Sequence, residues 1–357
     1  MPFIVLVINP GSTSTKFAVF SGDTCIFDQS LSHSVADLAG FPTVASQYEF
    51  RERAIRHALE ERHFDLKTLN AVVGRGGLLH PIPGGVYRVT EAMKSDLLSA
   101  QYGEHASNLG GLIADAFARQ LGVPAFIADP VVVDELEDVA RVSGHRLFKR
   151  ISIFHALNQK AVARRYAKEH KCRYEDLNLV VAHMGGGVSI GLHRGGRVVD
   201  VNQALSGEGP FSPERSGTLP ASDLAKLCFS GQYSLQEVLK MIAGKGGMVS
   251  FLGTNDMREV SRMREEGNRE ADLYYRAFVY QVGKSIGGAA AAAHGVVDAI
   301  ILTGGIAFSK DLTDRITEMV SFIAPVTVYP GEGEIEALAL AGRMALSGET
   351  EIKEYLP

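Results

Sequence analysis

The feature that most constrains this chain is an opening that occurs twice. Residues 3–8 form an apolar, β-branched run that reads as a buried strand. A turn follows at Asn9-Pro10-Gly11, then a strand over 15–20, a hairpin turn at Ser21-Gly22-Asp23 and a third strand over 24–28. The same order returns about 174 residues downstream: strand 179–182, glycine-rich turn 183–187, strand 188–193, turn Arg194-Gly195-Gly196, strand 197–201. Self-similarity with a period this long predicts a duplicated domain and not a solenoid of short repeats. A chain of 357 residues is also too long for one ordinary core. The expectation is therefore an α/β protein with domains at 1–150 and 151–334, the first completed by a C-terminal helix over 335–357.

Helical patterns at 47–62 and 107–121 flank strands at 71–73 and 124–127. In the second half, helices are expected at 235–242, 257–266 and 271–294, strands at 297–303 and 326–329, and a last helix at 334–346. The small residues of 287–293 predict a helix face that packs very close to a neighbour or a ligand.

Composition excludes several classes. A net charge of −5 gives no concentrated basic face, so no nucleic-acid partner is expected. The pair Arg164-Arg165 reads as a solvated helix face. Cys25, Cys172 and Cys228 are far apart and form no CxxC, which argues against a zinc knuckle and for a reducing compartment. The apolar start lacks a basic leader and runs straight into a turn, unlike a signal peptide. No apolar run approaches the ~20 residues that span a bilayer. A cytoplasmic protein without a membrane partner is expected.

Three loops carry chemistry. In Asn9-Pro10-Gly11-Ser12-Thr13-Ser14-Thr15-Lys16, hydroxyls, backbone amides and a lysine suit phosphate oxygens. It is not a Walker loop, because GxxxxGK[ST] is absent and a strand follows. In His183-Met184-Gly185-Gly186-Gly187-Val188-Ser189, three glycines between strands suit close approach of backbone to phosphate; a flexible turn is the alternative. In Leu302-Thr303-Gly304-Gly305-Ile306-Ala307, a strand–Gly-Gly–helix turn could let a ring or ribose lie against the backbone. No histidines show metal-ligand spacing such as HExxH.

In order and rough spacing, these loops resemble the phosphate-1, phosphate-2 and adenosine segments of the acetate kinase, sugar kinase and actin superfamily. The likeness is greatest to the butyrate kinase branch of the acetate kinase family. It extends to Asp129-Pro130-Val131-Val132-Val133-Asp134-Glu135-Leu136-Glu137-Asp138, to Ser152-Ile153-Phe154-His155-Ala156-Leu157-Asn158-Gln159-Lys160 and to Gly207-Glu208-Gly209-Pro210-Phe211-Ser212-Pro213-Glu214-Arg215-Ser216-Gly217-Thr218. It covers residues 3–346. Pro10, Thr13 and Gly185-Gly186-Gly187 depart from the usual acetate kinase residues and favour that branch.

The resemblance implies two actin-like, ribonuclease H-like domains with mixed sheets flanked by helices and a cleft between them. It implies transfer of the ATP γ-phosphoryl group to a short-chain carboxylic acid: butanoate, with isobutyrate as the alternative. Another phosphoryl-transfer enzyme or a chaperone-like ATPase on the same fold are the remaining readings. ATP and Mg²⁺ are the implied cofactors, and a homo-oligomer, at least a dimer, the implied assembly. Arg75 and Arg215 resemble the family's paired active-site arginines, which bind the carboxylate and the transferring group. Asp129 corresponds to an active-site aspartate. A carboxylic acid is already ionised at neutral pH, so an orienting role suits Asp129 better than a base. His155 resembles the histidine that stabilises the phosphoryl group, with His183 and His105 as further active-site histidines. Asn9, Ser12, Ser14, Lys16, Gly185, Gly186, Gly187, Asp256, Gly304, Gly305 and Ile306 take nucleotide or phosphate positions. Glu334 resembles the magnesium-associated glutamate, with Glu332 close enough to compete. Leu78, Leu79, Pro83 and Val86, near Arg75, are candidates to line an acyl-chain pocket.

Overall fold

The computed structural model describes residues 2–356, apart from the side chain of Val35. The chain divides into two compact units, Met1–Val133 with Gly333–Pro357, and Asp134–Glu332. The first contributes β1 (Ile4–Pro10), β2 (Ser14–Ser21), β3 (Thr24–Ser32), β4 (Ala71–Arg75), β5 (Val86–Arg88) and β6 (Ala125–Ala128). The second contributes β7 (Asn178–Met184), β8 (Val188–Arg194), β9 (Arg197–Val201), β10 (Ala299–Gly304) and β11 (Val326–Pro330). A short β12 (Ile352–Lys353) returns to the first unit, pairing with β5.

Strand order is β12-β5-β6-β4-β1-β2-β3 in one sheet and β11-β10-β7-β8-β9 in the other. The repeat seen in the sequence is a repeat of pairing. In both units the first strand runs antiparallel to the second, the second to the third, and the first parallel to a later strand. Both second-to-third hairpins also carry a register shift, at Val19/Phe20 and at Leu192/His193. Parallel strands covered on both faces need continuous apolar runs, and β1, β7 and β10 supply them.

The longer helices are α1 (Tyr48–Glu61), α2 (Glu91–Ser99), α3 (Asn108–Leu121), α4 (Ala156–Glu169), α5 (Ala221–Cys228), α6 (Leu235–Ile242), α7 (Met257–Glu265), α8 (Arg269–Ala292), α9 (Lys310–Val320) and α10 (Glu334–Ser347). In the first unit Leu6, Ile8, Phe17, Ile55 and Phe117 belong to one core cluster; in the second Val180, Leu302, Phe278 and Ile316 do. Helix α3 lies unusually close to β4: a Cβ on Gly74 would stand 2.1 Å from the Gly110 carbonyl oxygen. That contact requires glycine on both sides and fixes the end of β4, where Arg75 sits.

Three expectations are revised. The first and second loops are shorter than expected, because β1 includes Asn9 and Pro10 and β7 includes His183 and Met184. The small residues of 287–293 pack only in part: Gly287 and Gly288 have open space around them, Ala290 and Ala293 are buried, and the tight glycine contact is made one turn earlier, by Gly283 on Met319. Segment 134–150 groups with the second unit. It is tied there by Arg150 to Asp200 at 2.9 Å, by the Glu137 amide to Val199 O at 2.9 Å, and by the buried Lys160–Glu135 pair at 2.7 Å. Helices α2, α4, α5 and α9 and strand β5 lie outside the elements expected from periodicity.

Candidate active site

In the first unit, β1 and β4 are parallel neighbours whose C-terminal ends meet the start of α10. Asn9 is paired with Lys16 across the β1–β2 hairpin, so both side chains leave one face of the sheet. Arg75 Nη2 lies 2.9 Å from Glu334 Oε1. Asn9 Nδ2 donates to Glu334 Oε2 at 2.8 Å, and Arg75 Nη1 donates to Asn9 Oδ1 at 3.3 Å. Glu334 is buried, at the first residue of α10, where the helix dipole also favours a carboxylate. Asn9, Arg75 and Glu334 therefore form one closed cluster. Lys16 Nζ is 3.5 Å from Asp28 and half-exposed. Ser12 is exposed on the loop tip and Ser14 half-buried.

Asp129 follows β6 with a φ of 36°, left-handed backbone that few non-glycine residues adopt. It is held there by a reciprocal pair: Gly85 N donates to Asp129 Oδ1 at 2.7 Å, and Asp129 N to Gly85 O at 3.0 Å. His105 Nδ1 sits 2.8 Å from Ser107 Oγ and accepts from the Ser107 amide at 3.2 Å, just before α3. Of the proposed acyl-pocket residues, Leu79 and Val86 are buried, Leu78 packs partly buried against the core, and Pro83 is exposed.

In the second unit, His155 precedes α4 and its ring stacks on that of His183, with centroids 3.7 Å apart and planes 8° from parallel. Their hydrogen bonds specify the tautomers. Asn158 Nδ2 donates to the Gly331 and Glu332 carbonyls, so its Oδ1 faces His183 Nδ1 at 2.7 Å, which must donate. Likewise Gln159 Nε2 donates to Ser189 O at 3.0 Å and Ser189 Oγ at 2.8 Å, which turns Gln159 Oε1 toward His193 Nε2 at 3.0 Å. His193 is fully buried, and burial first, then Lys160 and Arg164, holds its pKa well below the usual histidine value. Its neutral ring donates from Nε2, and Tyr174 O–H donates to its Nδ1 at 2.8 Å. Ser189 O–H is left to donate to His155 Nδ1 at 2.9 Å. The chain Tyr174–His193–Gln159–Ser189 thus presents His155 with its proton on Nε2.

The glycine loop is packed, not loose. None of Gly185, Gly186 and Gly187 has a positive φ. A Cβ on Gly187 would stand 1.8 Å from Arg215 Nη1, and one on Gly185 3.2 Å from His183 Nε2. Arg215 Nη1 donates to Ala204 O at 2.7 Å, and Ser212 Oγ donates to Gly186 O at 2.6 Å. Burial lowers the Arg215 pKa, against an opposing pull from Glu214.

A pocket of about 760 Å³ is lined by Gly185, Gly186, Asp256, Gly305, Ile306 and Glu332, among others. Gly304 adopts a φ of 89°, and a Cβ there would meet Met184 O at 2.3 Å; beside Gly305 the space is open. Asp256 caps α7 and pairs with Arg258 at 2.7 Å, which, with the Arg258 amide, lowers its pKa to about 2. The pocket volume suits a nucleoside and a polar extension.

Residues 144–323 match the Acetokinase family. Over 99% of its length the chain is 56% identical to a Clostridium acetobutylicum protein named Butyrate kinase 2, all of which is covered. The chain belongs to the acetokinase family. Its fold is that of the acetate kinase from Porphyromonas gingivalis, with a TM-score of 0.78 at 18% identity over 97% of this chain and 100% of that one. A propionate kinase from Francisella tularensis gives 0.72 at 18% identity, over 95% and 98%. These likenesses bear on fold alone, and agree with the expected α/β class of two related domains.

Against the family resemblance, the second unit brings His155, His183, the glycine loop and Arg215 together, and puts Asp256, Gly305 and Ile306 on one pocket. The first unit brings Asn9, Arg75 and Glu334 together. Glu332 lines the second-unit pocket, while Glu334 is engaged by Arg75. Sequence reasoning missed Arg51 beneath the first loop and the Tyr174–His193–Gln159–Ser189 chain behind His155. No group of three or more His, Cys, Asp or Glu side chains suited to a metal occurs among the described residues. No helix among them is long and apolar enough to cross a membrane.

Proposed function

We propose that this protein transfers the γ-phosphoryl group of ATP to butanoate, giving butanoyl phosphate and ADP. The observation that carries this reading is the full-length identity of 56% with a protein named Butyrate kinase 2. The chemistry asks for positioning and charge neutralisation and not for a base, because donor and acceptor are both anions.

The residues support that division of labour. The pocket beside Gly305 and Ile306 takes the nucleoside, and the 185–187 loop its phosphates. His155 offers an Nε2–H to a phosphoryl oxygen. Arg215 and Arg75 supply fixed positive charge, each already oriented by a neighbour: Ala204 O for Arg215, Asn9 and Glu334 for Arg75. Asn9, Ser12, Ser14 and Lys16 form the first phosphate loop. Asp129, locked to the 83–85 loop, orients and does not abstract a proton, so Asp129→Asn is expected to keep measurable turnover.

Mg²⁺ arriving with the nucleotide needs only one or two protein carboxylates. Glu334 fits an outer role, since each oxygen accepts one hydrogen bond here and retains a further lone pair. Bound there, the ion would offset phosphate charge.

The reading includes a cytoplasmic homo-oligomer. The exposed Leu235 and Leu239 on α6, and the exposed Phe229 at the C-terminal end of α5, support association, which light scattering would measure.

The test is ADP release dependent on the acid, with hydroxylamine trapping of the acyl phosphate, across acetate, propionate, butanoate and isobutyrate. Absence of stimulation by every acid in folded protein would overturn the reading. Leu78→Trp should shift preference toward shorter acids; an unchanged profile removes Leu78 from the acyl site.

A further inference from the structure

Beneath the first phosphate loop lies Arg51, which is 1% exposed and sits in the first turn of α1. Its Nη1 donates to Gly11 O at 2.6 Å, to Ser14 O at 2.9 Å and to Thr15 Oγ1 at 3.2 Å. Its Nη2 donates to Ser12 O at 3.0 Å and to Gln47 Oε1 at 2.8 Å, and Nε to the same Gln47 oxygen at 3.2 Å. Every one of these acceptors is neutral. A buried cation satisfied only by neutral oxygens is costly to fold around, because no counter-charge offsets its desolvation.

The loop geometry says what this arrangement gains. A trans peptide is planar, so its N–H points opposite to its C=O. Drawing the Gly11 and Ser12 carbonyls onto the guanidinium therefore turns the Ser12 and Thr13 amides away from it. Ser12 and Thr13 are exposed. The Thr13 carbonyl is held separately, by the His33 amide at 2.8 Å, and His33 in turn contacts Thr15 Oγ1 at 2.8 Å. The loop thus carries outward amides above a fixed inward positive charge, a combination that suits an oxyanion.

We propose that Arg51 is a positioning residue for nucleotide phosphate: it presents the Ser12 and Thr13 amides to a terminal phosphate group, whose charge completes the pairing that Arg51 lacks in the free protein. The proposal rests on the reading of 11–14 as a phosphate loop. It assigns Arg51 to recognition of ATP and not of the acid.

The experiment compares Arg51→Lys, Arg51→Gln and Arg51→Ala with the parent in steady-state kinetics and nucleotide titration. Losing a positioned set of charge-assisted bonds is expected to raise KM for Mg-ATP at least ~10-fold in Arg51→Gln, less in Arg51→Lys, with KM for the acid changed less than ~3-fold. Millimolar guanidinium chloride should restore ATP affinity to Arg51→Ala, where sodium chloride does not. Parallel rises in both KM values, or unchanged ATP affinity in folded variants, would overturn the proposal. Should the variants fail to fold, amide NMR of the parent decides: the Ser12 and Thr13 amide signals move on adding a non-hydrolysable ATP analogue if the proposal holds, and their constancy refutes it. Lys16→Ala separates the underlying reading. If it too leaves ATP affinity unchanged, the loop does not hold phosphate at all; if it weakens ATP while Arg51 variants do not, only the Arg51 role fails.

Discussion

Replacing Gly187 with alanine tests the placement of Arg215 without touching Arg215. The added Cβ would stand 1.8 Å from Arg215 Nη1 and 2.5 Å from Cζ. Carbon and nitrogen at rest keep ~3.5 Å, so the guanidinium must retreat by ~1.5 Å. Its backbone cannot follow, because Arg215 N donates to Ser212 Oγ at 3.1 Å and Arg215 O accepts from Ser212 N at 2.9 Å. The bond to Ala204 O is lost as the side chain swings. A misplacement of ~1 Å in a group that acts on the reacting atoms costs about 100-fold in rate, or ~2.7 kcal/mol of transition-state stabilisation. The expected result is a fall in kcat of about 100-fold, with far smaller changes in KM for ATP and in thermal unfolding, because the loop itself is unchanged. A coupled assay of ADP release with butanoate reads kcat, and differential scanning fluorimetry the stability. Gly186→Ala is the comparison: its Cβ would lie 3.6 Å from Glu214 Oε2, an ordinary contact, so its rate should fall far less. If Gly187→Ala turns over within threefold of the parent, either Arg215 moves freely or it does not act on the phosphoryl group, and the reasoning fails.

Three further outcomes follow from the geometry. Gln159→Leu severs the chain behind His155; kcat should drop about tenfold with both KM values nearly kept, and ¹⁵N shifts of the His155 ring should show loss of the pure Nε2–H tautomer. An Nδ1–H tautomer already present in the parent would refute the chain's polarity. Gly110→Ala places a Cβ 2.2 Å from the Arg75 carbonyl oxygen, backbone that cannot yield, so α3 must shift. Overpacking of this kind costs roughly 1–3 kcal/mol, read as a lowered Tm, and a Tm within a degree of the parent would show that the helix moves without penalty. Arg264, then Tyr275 and Arg315, hold the Asp311 carboxylate at about 2 instead of 3.8. Because the folded pKa is the depressed one, its stabilisation is complete above pH 3.8 and is lost as pH falls toward 2. Asp311→Asn should flatten the acid limb of Tm against pH in that window, and an unaltered limb would remove Asp311 from acid unfolding.

The fold was legible in the sequence because its signal is long-range and redundant: two strand–loop–strand–turn–strand openings, each with apolar runs. Candidate site residues were legible as residue types at loop positions: His155 and His183 stack, and Arg215 packs against the glycine loop that follows His183. Sequence reasoning read the glycines as close approach of backbone to phosphate, with a flexible turn as the alternative, and it did not foresee the packing around them. Neither Gly185 nor Gly187 uses a positive φ, which argues against the flexible turn. They are small because His183 and Arg215 occupy the space a side chain would take, a tertiary fact that no local pattern carries. Arg51 and Gln159 were missed for a different reason, and there a signal did exist. In α1, Arg51 shares the apolar stripe of Ile55, Ala58 and Leu59, at spacings of four, seven and eight. In α4, Gln159 shares the stripe of Ala163, Tyr166 and Ala167 at the same spacings. A polar residue on an apolar stripe must find its partners inside, and both find them behind one of the two repeated hairpin loops.

Duplication accounts for the hairpins but not for their chemistry. Asn9 pairs with Lys16 and His183 with Ser189, so the second loop is one residue shorter within the same pairing scheme. The first loop keeps hydroxyls at its tip because its support comes from beneath, from a guanidinium that grips carbonyls and leaves the outer edge open. The second cannot keep side chains there, because its support stands on the same side as the loop backbone: Arg215 against Gly187 and Ser212 Oγ on Gly186 O. An arginine thus backs each loop, in opposite senses. Arg51 donates to three loop carbonyls, to Thr15 Oγ1 and to Gln47 Oε1, whereas Arg215 bonds Ala204 O through Nη1. That asymmetry predicts which arginine tolerates lysine. Arg51→Lys retains a donor for a carbonyl and a positive charge under the loop, and should keep part of its function. Arg215→Lys loses the planar group that fits against a bare glycine, and should behave like the loss of the residue.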